Sequence, residues 1–161
     1  MLNLLGEFHC KVDAKGRVLF PARLRKQLEA VLERGLVVNR DIFEGCLVIY
    51  PQPEWDKVNE EMARLSRYNA KHQLFQRKFM NGASALELDN AGRIHLPASL
   101  MQHAGIDVKD ANELVITGMG ERMEVWSAAR YAERVLADDV DFAALAEEVR
   151  RDLEAKPNSP S

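Results

Sequence analysis

The chain has 161 residues, 47% of them hydrophobic, enough for a real core in about one domain's length of chain. A net charge of −3 excludes a uniformly basic nucleic-acid binder. No run of 18 or more apolar residues exists, so no membrane span is expected, and Met1 to Arg17 lacks the basic-then-apolar pattern of a signal peptide.

In chain order, Glu7 to Val12 reads as a strand that enters a turn at Asp13-Ala14-Lys15-Gly16. An Asp at the first turn position can accept from backbone amides ahead of it, and Gly supplies positive φ without steric cost. Arg17 to Phe20 follows as a β-rich strand, and Pro21 suits the start of a helix, where its missing N–H costs nothing. That helix carries Leu24, Leu28, Val31 and Leu32 on one stripe, places Arg23 and Lys26 on the far face, and ends at Gly35. Leu36 to Asn39 and Cys46 to Tyr50 read as a second strand pair around Asp41 to Gly45. Cys10 and Cys46 form no CxxC and no zinc-spaced cluster, so they read as buried free thiols in a reducing compartment, with no metal site expected.

Glu54 to Phe79 reads as helical, with Met62, Leu65, Tyr68, His72, Phe75 and Phe79 recurring every three or four residues. His72 on that stripe reads as a packed core histidine. Arg64, Lys71 and Lys78 recur every seven residues on a neighbouring face, either as a solvated face or as phosphate contacts. Asp89-Asn90-Ala91-Gly92-Arg93 then restarts the opening pattern, with Pro97 after the strand, Gly105 after the helix, and strands near 113–117 and 122–126. Ala128 to Leu136 and Asp141 to Leu153 read as two more helices, the last strongly acidic, before a tail expected to be disordered.

The restart is an internal repeat. Residues 12–25 and 88–101 share six of fourteen positions at an offset of 76, and Val12/Leu88, Val18/Ile94 and Phe20/Leu96 are apolar exchanges. Leu36-Val37-Val38 answers Leu114-Val115-Ile116, Ile49-Tyr50 answers Val125-Trp126, and Trp55 falls opposite Tyr131. Each copy reads as ββαββ, too little to bury a core by itself. The expected fold is therefore α+β: two half-barrels closing into one small β-barrel that removes exposed edges, with flanking and C-terminal helices. The expected divisions are a first repeat at 7–54, a helical segment at 55–82, a second repeat at 83–126, C-terminal helices at 127–153 and a disordered tail at 154–161.

Charge is segregated along the chain. Lys11 to Lys26 holds six bases and one acid, Arg64 to Lys78 holds five bases and no acid, and residues 133–161 hold eight acids and four bases.

The turn D-x-x-G-R, followed by an apolar strand and Pro, resembles the AbrB/SpoVT type of DNA-binding half-barrel. Two such copies in a chain of this length, with a Gly6-Glu7-Phe8 start, Cys46 to Pro51 followed by Glu54-Trp55, and a long basic inter-repeat helix, resemble the MraZ family over about residues 5–153. The resemblance implies a sequence-specific transcriptional regulator that binds direct repeats of double-stranded DNA in its own promoter, ahead of the division and cell-wall gene cluster. It also implies ring-shaped homo-oligomers in the cytoplasm, at the nucleoid. The motif arginine falls on Arg17 and Arg93, with Lys15, Arg23 and Lys26 as further DNA contacts. Asp13, Gly16, Asp89 and Gly92 are expected to shape the turns. Because Lys15, Arg23, Arg25 and Lys26 become Ala91, Ser99, Met101 and Gln102, the first copy is expected to dominate DNA contact.

An enzyme is not expected, since HExxH, GxSxG, a Walker loop and CxxC are all missing and the four histidines are dispersed. No cofactor or small-molecule substrate is expected. The alternative is an AbrB-like antitoxin or protein-interaction module without a promoter role.

Overall fold

The computed structural model describes residues 2–155. Its first copy contributes β1 (Glu7–Lys11), β2 (Arg17–Leu19), α1 (Ala22–Gln27), β3 (Leu36–Arg40), β4 (Leu47–Pro51), α2 (Gln52–Met62) and α3 (Ala70–Met80). The second repeats the order with β5 (Ser84–Leu86), β6 (Arg93–His95), α4 (Ala98–His103), β7 (Glu113–Gly118), β8 (Met123–Ser127), α5 (Ala128–Tyr131) and α6 (Phe142–Glu154).

The copies are interleaved. One antiparallel sheet of six strands runs β1-β7-β8-β4-β3-β5, and β2 pairs with β6 in a separate ribbon. The first strand of each copy therefore lies against the third strand of the other, and β4 joins β8 at the centre. The pairing does not close into the single barrel expected from the repeat. β1 and β5 remain as sheet edges, and the three-residue β2 meets the end of β1 only through a Val12–Val18 bridge.

The central strands are buried on both faces because each face has its own cover. Val38, Leu47, Ile49, Leu114, Ile116, Met123 and Val125 point into the main core with Val18, Ile94, Leu24 and Leu100 from the ribbon and from α1 and α4. On the opposite face Cys46, Val115 and Trp126 pack under Tyr131. Trp55, the counterpart of Tyr131, stacks on Phe79, with ring centroids 6.1 Å apart. Alternation with period two puts these two sets on opposite faces.

Four details depart from the sequence reading. The inter-repeat helix is broken at 63–69, where Asn69 caps α3 by accepting from Lys71 N and His72 N. Its apolar stripe is not a core stripe: no residue of α3 is fully buried, Phe75 is exposed, and His72 is half-buried with Nδ1 accepting from Ser66 N. Cys10 is only partly buried, since β1 is an edge strand, whereas Cys46 is buried. Glu154, placed in the expected tail, ends α6, and residues 156–161 lie outside the described residues. Among the described residues no helix is long and apolar enough to cross a membrane.

Truncating Ile49, fully buried in the central strand β4, is expected to cost about 2–5 kcal/mol in Ile49→Ala. Tyr68→Ala, at a side chain 95% exposed, is expected to change stability by less than about 0.5 kcal/mol. Urea unfolding followed by circular dichroism measures both.

Candidate nucleic-acid interface

The two D-x-x-G-R turns are built alike. Asp13 Oδ1 accepts from Lys15 N at 2.9 Å and Arg17 N at 2.8 Å, while Oδ2 accepts from Arg17 Nε at 2.8 Å. In the second copy Asp89 Oδ1 accepts from Ala91 N and Arg93 N, both at 2.9 Å, and Oδ2 from Arg93 Nε at 3.0 Å. Gly16 and Gly92, at φ +81° and +78°, give each chain the left-handed step that closes the turn. These bonds hold both carboxyls below the ordinary Asp range, chiefly through the backbone amides of Arg17 and Arg93. The carboxylate thus sets the turn and binds only one guanidinium nitrogen. Among the described residues nothing binds the terminal NH2 groups of either arginine, which leaves them for an outside acceptor.

The ribbon brings the turns together. Arg17 lies opposite His95, Val18 opposite Ile94, and Leu19 opposite Arg93. Val18 and Ile94 face the core, so Arg17, Leu19, Arg93 and His95 share the outward face. Leu19 is 65% exposed there, an apolar side chain between two arginines. Phe20 N donates to Gly92 O and Leu96 N to Gly16 O, so each strand is pinned to the other copy's turn.

That crossing changes the electrostatics read from the sequence. A methyl group placed on Gly92 would stand 3.0 Å from Arg25 Nη1, and a groove beside the ribbon is lined by Lys11, Leu19, Arg23, Arg25 and Gly92. The first copy's helix therefore charges the second copy's turn. At the first turn the corresponding neighbour is Met101, with Lys15 exposed on the turn itself. Arg23 lines the groove, and Arg17 and Arg93 stand on the outward face of the ribbon beside it. Lys26 lines an adjoining depression with Arg25, Glu29 and Leu32. His95 and Leu19 belong to the surface and escaped the sequence reading, which counted Arg25 in the first copy's basic field without placing it at the second turn. Strict alternation along Arg17-Val18-Leu19 exposes Leu19, but nothing local signals that Arg25 crosses between copies.

Elsewhere Asp41, Cys46 and Glu124 offer ligand atoms within 4.8 Å of one another. Asp41 Oδ2 already accepts from Phe43 N and Glu44 N, and Glu124 Oε1 from Trp126 Nε1. Burial and the neighbouring carboxylates push the Cys46 thiol far up, so it is protonated at neutral pH. These side chains serve the loop and the sheet.

A family model described as "MraZ protein, putative antitoxin-like" matches residues 4–78 and again residues 79–152. The transcriptional regulator MraZ of Christiangramia forsetii is 38% identical over 149 residues, covering 92% of this chain and 94% of its own. That of Bacteroides fragilis is 34% identical over 160 residues, covering 99% and 98%. That of Heliobacterium modesticaldum is 40% identical over 131 residues, covering 80% and 84%.

The lowered Asp13 and Asp89 carboxyls give a signed pH dependence. The order they lend the turns is present above about pH 4, the ordinary Asp value, and is lost as pH falls through their lowered values. The amide resonances of Lys15, Arg17, Ala91 and Arg93 are expected to stay fixed down to that pH and to move below it. Movement between pH 5 and 6 would contradict the assignment.

Proposed function

This chain belongs to the MraZ family, and from that membership we propose that it is a sequence-specific, DNA-binding transcriptional regulator that reads duplex DNA with the β2–β6 ribbon. The observation that carries the reading is the pair Arg17 and Arg93 on one outward ribbon face, each aimed by its own aspartate. A two-stranded ribbon fits the major groove of B-DNA, where an arginine fork can bridge guanine O6 and N7. Leu19 between them suits the methyl group of thymine, and Lys15, Arg23 and Arg25 supply phosphate contacts beside it. Lys26 is an outlying contact. The relatives named above carry the name transcriptional regulator, in keeping with a non-enzymatic role.

The finer parts of the reading belong to the same proposal. Its targets are direct repeats in its own promoter, ahead of the division and cell-wall gene cluster, and it works in the cytoplasm at the nucleoid. Its architecture is two AbrB-like halves (7–54 and 83–126), a helical segment at 55–82 and C-terminal helices at 127–153. A single protomer offers only a handful of phosphate contacts, which makes monomer binding weak at physiological salt. A homo-oligomeric ring gains effective concentration by engaging several repeats at once. The words "antitoxin-like" in the family description favour one other reading, a protein-interaction module, which a toxin copurifying from the native cell would reveal.

Gel shifts with DNA from upstream of the chain's own gene test the proposal. Arg17→Ala and Arg93→Ala are each expected to weaken specific binding by about 1–3 kcal/mol, roughly fivefold to 150-fold. Because Arg25 charges the second turn, the two losses are expected to be comparable rather than dominated by the first copy. Arg23→Ala and Arg25→Ala are each expected to flatten the salt dependence by about one unit. Wild-type protein that gives no specific shift would overturn the reading.

A further inference from the structure

The third helices of the two copies, α3 and α6, occupy corresponding places in the duplicated chain but have opposite charge. Between residues 63 and 80 there are five bases and no acid; between 137 and 155 there are seven carboxylates and two arginines. α6 is exposed along its whole length, yet Phe142, Leu145, Val149 and Leu153 line up on one face. A 13-residue helix gains little stability from propensity alone, so this apolar stripe requires a partner. Arg150 binds Glu147 and Glu154 on one side of the helix. Glu148 and Asp152, flanking the stripe on the other side, pair with no cation among the described residues.

α3 offers the complementary surface. Leu74 and Phe75 stand exposed on one face with Lys71 and Lys78, which pair with no carboxylate among the described residues. Beside them a groove is lined by Ile42, Phe75 and Phe79 together with Arg40, Lys78 and His103. Asp41 also lines it, with its carboxylate taken up by the amides of Phe43 and Glu44. The buried Nε2 of His103 has no hydrogen-bond partner. Phe43, on the adjoining loop, is 89% exposed. This is an apolar groove with a basic border, and α6 is an apolar stripe with an acidic border.

We propose that α6 docks into the α3 groove of a second copy of this chain, head to tail. Its apolar stripe covers Ile42, Leu74 and Phe75, and Glu148 and Asp152 face Lys71 and Lys78. The mode is an amphipathic helix in a groove. Within one chain, Arg134 is paired with Glu44 beside that loop, and α6 stands clear of its own groove. Donor and receptor are different patches, so every protomer carries one of each and successive contacts can close into a ring. The inference rests on the self-assembly proposed above and assigns its surfaces.

The test is the mass of the full chain without DNA, by light scattering after size exclusion at about 0.1 M salt, where exposed charges still act over roughly 10 Å. Wild type is expected to be oligomeric. Lys71→Glu with Lys78→Glu, and separately Glu148→Lys with Asp152→Lys, are each expected to weaken association at least tenfold. All four residues are exposed or half-buried, and circular dichroism checks that both variants stay folded. An equimolar mixture of the two variants is expected to recover assembly, since each then presents the charge that the other lacks. Reversals that leave the mass of an oligomeric wild type unchanged would overturn these surfaces and leave self-assembly standing. So would a mixture that fails to recover. A monomeric wild type would overturn both, while its gel shift would still report separately on DNA binding.

Discussion

A ββαββ unit with strands of three to six residues leaves backbone donors and acceptors unpaired along its edges, and such edges invite aggregation. In this protein the first strand of each copy crosses to the third strand of the other, and the second strands pair together. Neither copy has a complete core without its partner. Val18 and Ile94 lie side by side in one hydrophobic cluster that draws on both halves, so the duplication is a physical requirement as well as a sequence pattern.

The same exchange builds the candidate DNA surface. Because β2 lies on β6, two turns separated by 76 residues in sequence present their arginines on one face. Each aspartate spends its lone pairs on two backbone amides and one guanidinium nitrogen. That fixes the arginine and holds the carboxylate ionised in the turn, where it pairs with the guanidinium it aims. The acidic residue of a basic motif is the one that aims it. Arg25 then shows how interleaving redistributes charge: a helix of the first copy sets a cation over the second copy's turn, while Met101 of the second copy's helix stands over the first.

Outside the interleaved body the copies have diverged. Trp55 and Tyr131 still hold corresponding places beneath the sheet, one stacking on Phe79 and the other against Trp126. Beyond them α3 is tied back through Phe79 and is basic, whereas α6 leaves the body and is acidic. Identical halves would favour two-fold association, because matching patches pair isologously. Opposite charge on corresponding helices favours a directional contact instead.

The sequence alone determined the duplication, the turns and the strand order within each copy. These rest on short-range chemistry: an Asp that accepts local amides, a Gly at positive φ, a Pro before a helix, and apolar residues alternating along strands. Asp13 and Asp89 accept the local amides, and Gly16 and Gly92 take positive φ. Tertiary structure decided which copy each strand joins, because an apolar strand of five residues pairs equally well with either neighbour until all edges are counted. It left the sheet open where the repeat suggested a closed barrel, broke the inter-repeat helix at Asn69, and left the Phe75 stripe facing solvent. It also set Arg25 over Gly92, 67 residues away in sequence, a proximity created only by the crossing of the two halves.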